Sequence, residues 1–444
     1  MNLERLQPLK TEQEFRAGFR QALKPLRFID THVHDMPLCM GPTFAIQGLD
    51  QATAYHYLEG EASLRRHMSR AETARFRAMN AAGRADLVVD AILGQGELAI
   101  STAANGLYRI AQSLGIEGDR PFRDVLKEWR HRFGKMSAAE YRDMVFEKSC
   151  VDRVVSTQSI FVEEEAALYL DNNVMAKWDP SYEVGVRCDE LLRKPAAVAT
   201  VAKLAGFEAA SGDPDEKATQ QALRDLVTHF IDRFQKVSKV RYLSLSMGAE
   251  DRFLDSVGLV SKSRFAVVMR EVIVPLAKKL RLPIFVMPYV KRGLNSVAGS
   301  TGDCVVTGPV DDLKQFVATN HDVSFILTGL HPSMNYDFCF LARACPNARL
   351  AGFWWGNLNS IHVRHQIQER LEFIGLGWTG LNSDQRITDQ ELYKWNDYFD
   401  DLEHVLVTTR FPQMVAANNP VTVEGIAQTI RILQDPDELF WVAN

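Results

Sequence analysis

A recurrence of structural type narrows the fold more than any single motif does. Eight short apolar runs rich in β-forming residues occur at 26–34, 151–159, 182–189, 240–248, 283–290, 323–329, 349–355 and 377–384. Between them, stretches such as 216–236, 263–280, 310–319 and 363–374 carry apolar residues at helical spacing. Strands alternating with helices predict βα units and a parallel sheet. Eight such units predict an α/β fold, a (β/α)8 barrel of the TIM type, for which ~250 residues suffice. The chain has 444. Most of the excess lies between the first and second runs, where 49–61, 70–82, 94–114, 122–133 and 136–148 have helical periodicity. The expected organisation is one barrel domain over 1–444 with a helical insertion, 35–150, over the barrel mouth. A helix at 3–23 is expected before the first strand, and a helical tail, 395–444, on the barrel exterior.

Composition removes several function classes. Hydrophobic residues make up 46% of the chain and charged residues 24%, enough apolar material for a large core and too much for a disordered chain. The net charge is -5, with lysine and arginine dispersed. That pattern argues against nucleic acid or an anionic membrane as partner. No apolar run reaches the ~18 residues that span a bilayer, and residues 1–10 lack the apolar core of a secretory signal. Six cysteines occur without a CxxC pair, which fits a reducing cytoplasm better than a disulfide framework.

The strongest chemical signal ends the first run, Asp30-Thr31-His32-Val33-His34. Histidines two apart on a strand share a face. At the carboxyl end of a barrel strand that face is the barrel mouth, where two imidazoles can chelate a divalent metal. Asp30 is expected on the same face, lower down. The eighth run ends Ser383-Asp384-Gln385-Arg386. Strands one and eight are neighbours in a closed barrel, so Asp384 can reach both histidines, as a third ligand or as a base. Arg386 has the planar guanidinium that binds a carboxylate bidentately. Arg187 and Asp189 share a face at the end of the third run, where a buried arginine needs an anionic partner. His56 and Tyr57, in a helical stretch of the insertion, are either an acid/base pair or plain covering for the barrel. Of Trp354 and Trp355, alternation along a strand sends one into the site and one into the helix layer. The fourth run holds no lysine to bridge two metals and the fifth holds no histidine. His331, after the sixth run, is the one additional candidate ligand.

Taken in order, these motifs resemble the uronate isomerase (glucuronate isomerase) family, a divergent branch of the amidohydrolase superfamily. The family's D-T-H-x-H is matched by Asp30 to His34, and its H-Y pair by His56 and Tyr57. Its R-P-D is matched by Arg187 and Asp189 without the proline, its W-W by Trp354 and Trp355, and its T-D-S-R by Asp384 and Arg386 alone. A middle-strand H-x-G-A-x-R-N-x-N is reduced to 289–295, YVKRGLN, without the histidine. The resemblance implies one divalent metal, zinc or manganese, on His32, His34 and Asp384. It implies a hexuronate substrate, glucuronate or galacturonate, and isomerisation to a ketohexuronate through an enediol. Catalysis would fall to Asp384, Tyr57, His56 and Arg386, and substrate binding to Arg187, Arg386, Trp354, Trp355 and His56. The expected partner is thus a small sugar acid, and self-association is left open. The alternative is a metal-dependent hydrolase of an amide, lactone or ester on the same ligands. A third reading is a barrel that binds a sugar acid or a partner protein without turnover.

Overall fold

The computed structural model describes residues 7–94, 98–255, 258–295, 302–435 and 437. The eight apolar runs become β1 (Phe28–Val33), β2 (Val151–Ser159), β3 (Tyr182–Arg187), β4 (Val240–Met247), β5 (Ile284–Pro288), β6 (Phe325–Leu327), β7 (Ala348–Ala351) and β8 (Trp378–Thr379). They form one parallel sheet in sequential order, with a helix after most strands. Closure comes from the chain leaving β8. The Asp384 N–H donates to the His32 carbonyl at 3.0 Å, and the His34 N–H to that of Gln385. The fold is a (β/α)8 barrel.

Two apolar layers hold it. Inside the barrel, Val155, Tyr242, Phe285, Met287, Ile326 and Ala351 pack together. Between sheet and outer helices lies a larger cluster, including Val154, Val184, Leu243, Leu245, Ile284 and Leu350. The alternation of strand side chains accounts for the two layers, and each such large side chain contributes roughly 1.5–3 kcal/mol on burial. At the amino end of the barrel Glu183 is ion-paired with Arg153 at 2.7 Å and with Arg241 at 2.5 Å. The catalytic possibilities therefore lie at the opposite, carboxyl end, as the fold requires.

Seven α-helices lie between β1 and β2 among the described residues. The expected stretch 49–61 is broken into Leu49–Thr53 and His56–Arg66, and 70–82 into Arg70–Ala78 and Ala81–Ile92. Side-chain caps start the latter two pieces. Ser69 forms a capping box with Glu72, and Asn80 accepts from the Gly83 N–H. Expected helix 94–114 begins at Thr102, and its residues 95–97 lie outside the described ones. These helices share a core of their own, which takes in Ile387, Leu392 and Tyr393 from the chain after β8. The helix expected at 3–23 is observed as Glu12–Leu23. The tail contains Glu391–Val405 and Val423–Leu433, with 438–444 outside the described residues.

Strands seven and eight are shorter than expected. β7 stops at Ala351, and Trp354–Leu358 is a turn of 3-10 helix. After β8 the Gly380 N–H bonds to the Leu433 carbonyl, and Asp384 has φ +50, a left-handed conformation that cannot continue a strand. No helix among the described residues is long and apolar enough to cross a membrane.

Candidate functional site

His32 and His34 reach the barrel mouth from β1, and Asp384 meets them from the turn after β8. Asp384 Oδ1 lies 3.2 Å from His34 Nε2 and 3.5 Å from His32 Nε2. The three ligand atoms lie within 4.8 Å of one another.

Each imidazole is held from behind by a hydroxyl on another strand. Thr157 Oγ1 donates to the Val33 carbonyl at 2.8 Å and lies 2.7 Å from His34 Nδ1. Tyr242 OH donates to the Thr31 carbonyl at 3.2 Å and lies 2.9 Å from His32 Nδ1. Each hydroxyl has spent its proton, so each ring donates its Nδ1–H and keeps a lone pair on Nε2. Thr157, Gly185 and Tyr242 fall in one row across β2, β3 and β4. A Cβ at Gly185 would overlap the Tyr242 ring, so glycine at this position lets the tyrosine cross the barrel to His32. Asp30 accepts from the main-chain N–H groups of His32 and Ser383, each at 3.1 Å, and from the Trp395 indole at 3.2 Å. It braces the backbone that carries the ligands.

The residues fit a divalent ion. His32 Nε2 and Asp384 Oδ1 are buried without a hydrogen-bond partner. Two imidazole lone pairs and a carboxylate oxygen facing one another are resolved by a cation. Burial lowers the His34 pKa to about 4, which keeps the ring neutral and able to ligate. A cation there would also hold Asp384 as a carboxylate.

A cavity of about 140 Å³ opens over this group. His34, Asp384, Arg386 and Arg187 line it from the barrel, His56 and Tyr57 from the insertion, and Trp354 and Trp355 from the turn after β7. Every residue that the resemblance assigns to metal, catalysis or substrate lines this cavity except His32, whose Nε2 lies 3.5 Å from Asp384. The tryptophans differ from expectation. Both line the cavity, because the chain has left the strand and Trp354 takes φ +47, which breaks the alternation. His331 is not brought in; its Nδ1 meets Ser333 at the start of helix Pro332–Ala344.

The two expected arginines differ electrostatically. Arg187 Nε donates to Asp189 at 2.6 Å. Burial would lower its pKa, but the charge of Asp189 more than offsets this and raises it. The Arg386 guanidinium has no partner among the described residues. A third arginine enters from the ribbon formed by Val290–Lys291 and Cys304–Val305. Arg292 donates to Asp303 at 2.6 Å and stacks 5.1 Å from the Trp355 ring centroid. Tyr55 adds a ring 4.1 Å from that of His56. Burial lowers the His56 pKa to about 4, aided by Lys394, and raises that of Tyr57 well above the phenol range. Thr157, Tyr242 and Asp303 had no motif to mark them, whereas Arg292 lay in the reduced 289–295 motif and Tyr55 beside the His56-Tyr57 pair. Only the inward alternation of β2 and β4 could have selected the first two.

No family model matches the sequence, and no curated protein is similar to it by sequence. Solved structures are. A uronate isomerase from Bacillus halodurans C-125 superposes with a TM-score of 0.86 at 23% identity, over 98% of this chain and 96% of that one. The fold is that of the uronate isomerases. A glucuronate isomerase from Caulobacter crescentus gives a TM-score of 0.73 at 16% identity, over 97% and 94% of the two chains. A uronate isomerase from Thermotoga maritima gives 0.71 at 12%, over 96% and 97%. The likeness to these uronate isomerases therefore runs through the insertion as well as the barrel.

Proposed function

We propose that this protein is a metal-dependent aldose–ketose isomerase acting on a hexuronate, glucuronate or galacturonate, to give the ketohexuronate. The observation that carries the reading is a single cavity holding a His-His-Asp metal group, an unpaired arginine and a His-Tyr pair, on the fold of the uronate isomerases. His32, His34 and Asp384 would hold the ion, zinc or manganese, whose positive charge favours an oxyanion developing on the substrate. All six cysteines are free, in keeping with a reducing cytoplasm.

The chain's own groups suit the proton movement. Isomerisation takes a proton from C2 and delivers one to C1 through an enediol, with the carbonyl oxygen gaining and the C2 oxygen losing a proton. Asp384 is held as a carboxylate and can accept; Tyr57 is held as a phenol and can donate. His56 is neutral and can hydrogen-bond a sugar oxygen. Arg386 is free to take the substrate carboxylate bidentately, while Arg187, tied to Asp189, adds positive field beside it. Trp354 and Trp355 offer faces to the apolar side of a sugar. His56 and Tyr57 bring the insertion to the cavity wall, where it would limit water at the enediol. The hydrolase alternative would draw further ligands from strands four to six, where Tyr242 and a helix-capping His331 stand instead.

The test is turnover of zinc- or manganese-loaded protein on a hexuronate panel in heavy water, followed by proton NMR. Ketohexuronate should form, with loss of the C2 proton signal. No conversion and no exchange on any hexuronate would overturn the reading.

A further inference from the structure

Lys394 is the one buried lysine among the described residues, 3% exposed, and no step above uses it. It stands in helix Glu391–Val405, where Leu392 and Tyr393 join the insertion core and Trp395 the barrel core. Its ammonium therefore lies at the joint of the two. It donates to the Ser383 carbonyl at 2.7 Å and sits 5.5 Å from the Tyr57 ring centroid. It has no ion-pair partner among the described residues. Burying an ammonium with one hydrogen bond and one ring contact is costly, and the charges of Asp384, Asp30, Glu391 and Asp397 offset only part of that cost. Its place is not explained by packing.

Its contacts suggest what it does. The turn carrying Asp384 is held on one side by Asp30, which accepts the Ser383 N–H, and by His32, whose carbonyl accepts the Asp384 N–H. Lys394 holds the same turn through the remaining group, the Ser383 carbonyl. Its charge meets the face of the Tyr57 ring, where a cation is attracted. We propose that Lys394 is a positioning residue, clamping the Ser383–Asp384 peptide against the Tyr57 ring and so setting the separation of the two groups that handle the transferred proton. The proposal rests on the isomerase reading. Proton transfer is sensitive to placement, and a shift of about 1 Å can cost ~100-fold in rate.

The test uses the metal-loaded full chain, comparing wild type with Lys394→Met, Lys394→Gln, Tyr57→Phe and Lys394→Met/Tyr57→Phe. Metal content, melting temperature, kcat and KM are measured on the hexuronate that wild type converts. The expected result is unchanged metal content, KM within about 3-fold of wild type, and kcat down roughly 10- to 100-fold. The double variant should fall no more than about 3-fold below Tyr57→Phe, because the two changes break one unit. Multiplying losses in the double variant, a change in KM alone, or kcat within 3-fold of wild type would overturn it. So would failure of both single lysine variants to fold, which would make Lys394 a structural residue. Wild type inactive on every hexuronate would overturn the isomerase reading and this role with it; an active wild type with an unaffected Lys394→Met would overturn the role alone.

Discussion

At the scale of single residues, the candidate metal group depends on atoms that would not touch an ion. Thr157 and Tyr242 each spend a hydroxyl proton on a β1 carbonyl and so oblige a histidine to present Nε2. Groups that orient ligating histidines typically account for 10- to 100-fold in metal affinity. Tyr242→Phe and Thr157→Val should each weaken zinc binding within that range while the circular dichroism spectrum stays that of wild type. Titration with a competing chelator measures it, and unchanged affinity in both variants would remove the orienting role. The arginines make a second contrast. Arg386→Met should raise KM for a hexuronate by more than tenfold, since a bidentate charged contact is worth ~1.5–3 kcal/mol. Arg187→Met should do less to KM and more to stability, because it removes the nearer of the two guanidinium partners of buried Asp189, leaving Arg193 at 3.3 Å. A steady-state comparison of the two with parallel melts separates these effects.

At the scale of elements, the insertion is fastened to the barrel by a few buried polar contacts. Asp389, in the short turn Thr388–Gln390, accepts the Gly48 N–H at 2.6 Å and the hydroxyl of Tyr141. One carboxyl thus ties the turn after β8 to helices Leu49–Thr53 and Ala138–Ser149. Burial raises its pKa from 3.8 to about 6. The folded state then binds this proton more tightly than the unfolded chain does. Its contribution to stability is full below about pH 4, declines as pH rises through about 6, and is constant above. Asp389→Asn mimics the protonated form and lacks this titration. From pH 5 to pH 7, wild type should therefore lose about 1 kcal/mol relative to Asp389→Asn. Urea midpoints at the two pH values measure it, and parallel pH dependence in the two proteins would refute it.

At the scale of the whole molecule, the metal group straddles the one junction of the barrel that is not a strand ladder. His32 and His34 lie on β1, and Asp384 on the turn after β8. An ion bound there links the first strand to the last. Binding only the folded state, it would stabilise the chain by about 4 kcal/mol at a free concentration ~1,000 times its dissociation constant. Removal by a chelator should lower the melting temperature by a few degrees, and zinc should restore it. A melting curve indifferent to chelator would mean that the ligands do not close the seam.

How much of this was legible in the chain follows from the range of the forces involved. The barrel was legible because strand and helix formation answer to local periodicity, and 2.0 and 3.6 are visible in any window of ten residues. The convergence of His32 and His34 was legible because an i, i+2 pair is a local geometry, and that of Asp384 because barrel closure makes β1 and β8 neighbours. The contacts that tune the site were not. Gly185 leaves room for a tyrosine on the next strand, Tyr242 reaches a histidine 210 residues away, and Lys394 bonds a carbonyl in the turn that carries Asp384. The left-handed φ of Trp354 and Asp384 comes from packing and overrules the alternation that strand geometry implies. Local propensity sets which elements form and which faces they bury. The pairing of Arg187 with Asp189 is local, whereas the orientation of a ring and the freedom of Arg386 depend on side chains far apart in sequence, and are set only when the folded chain brings them together.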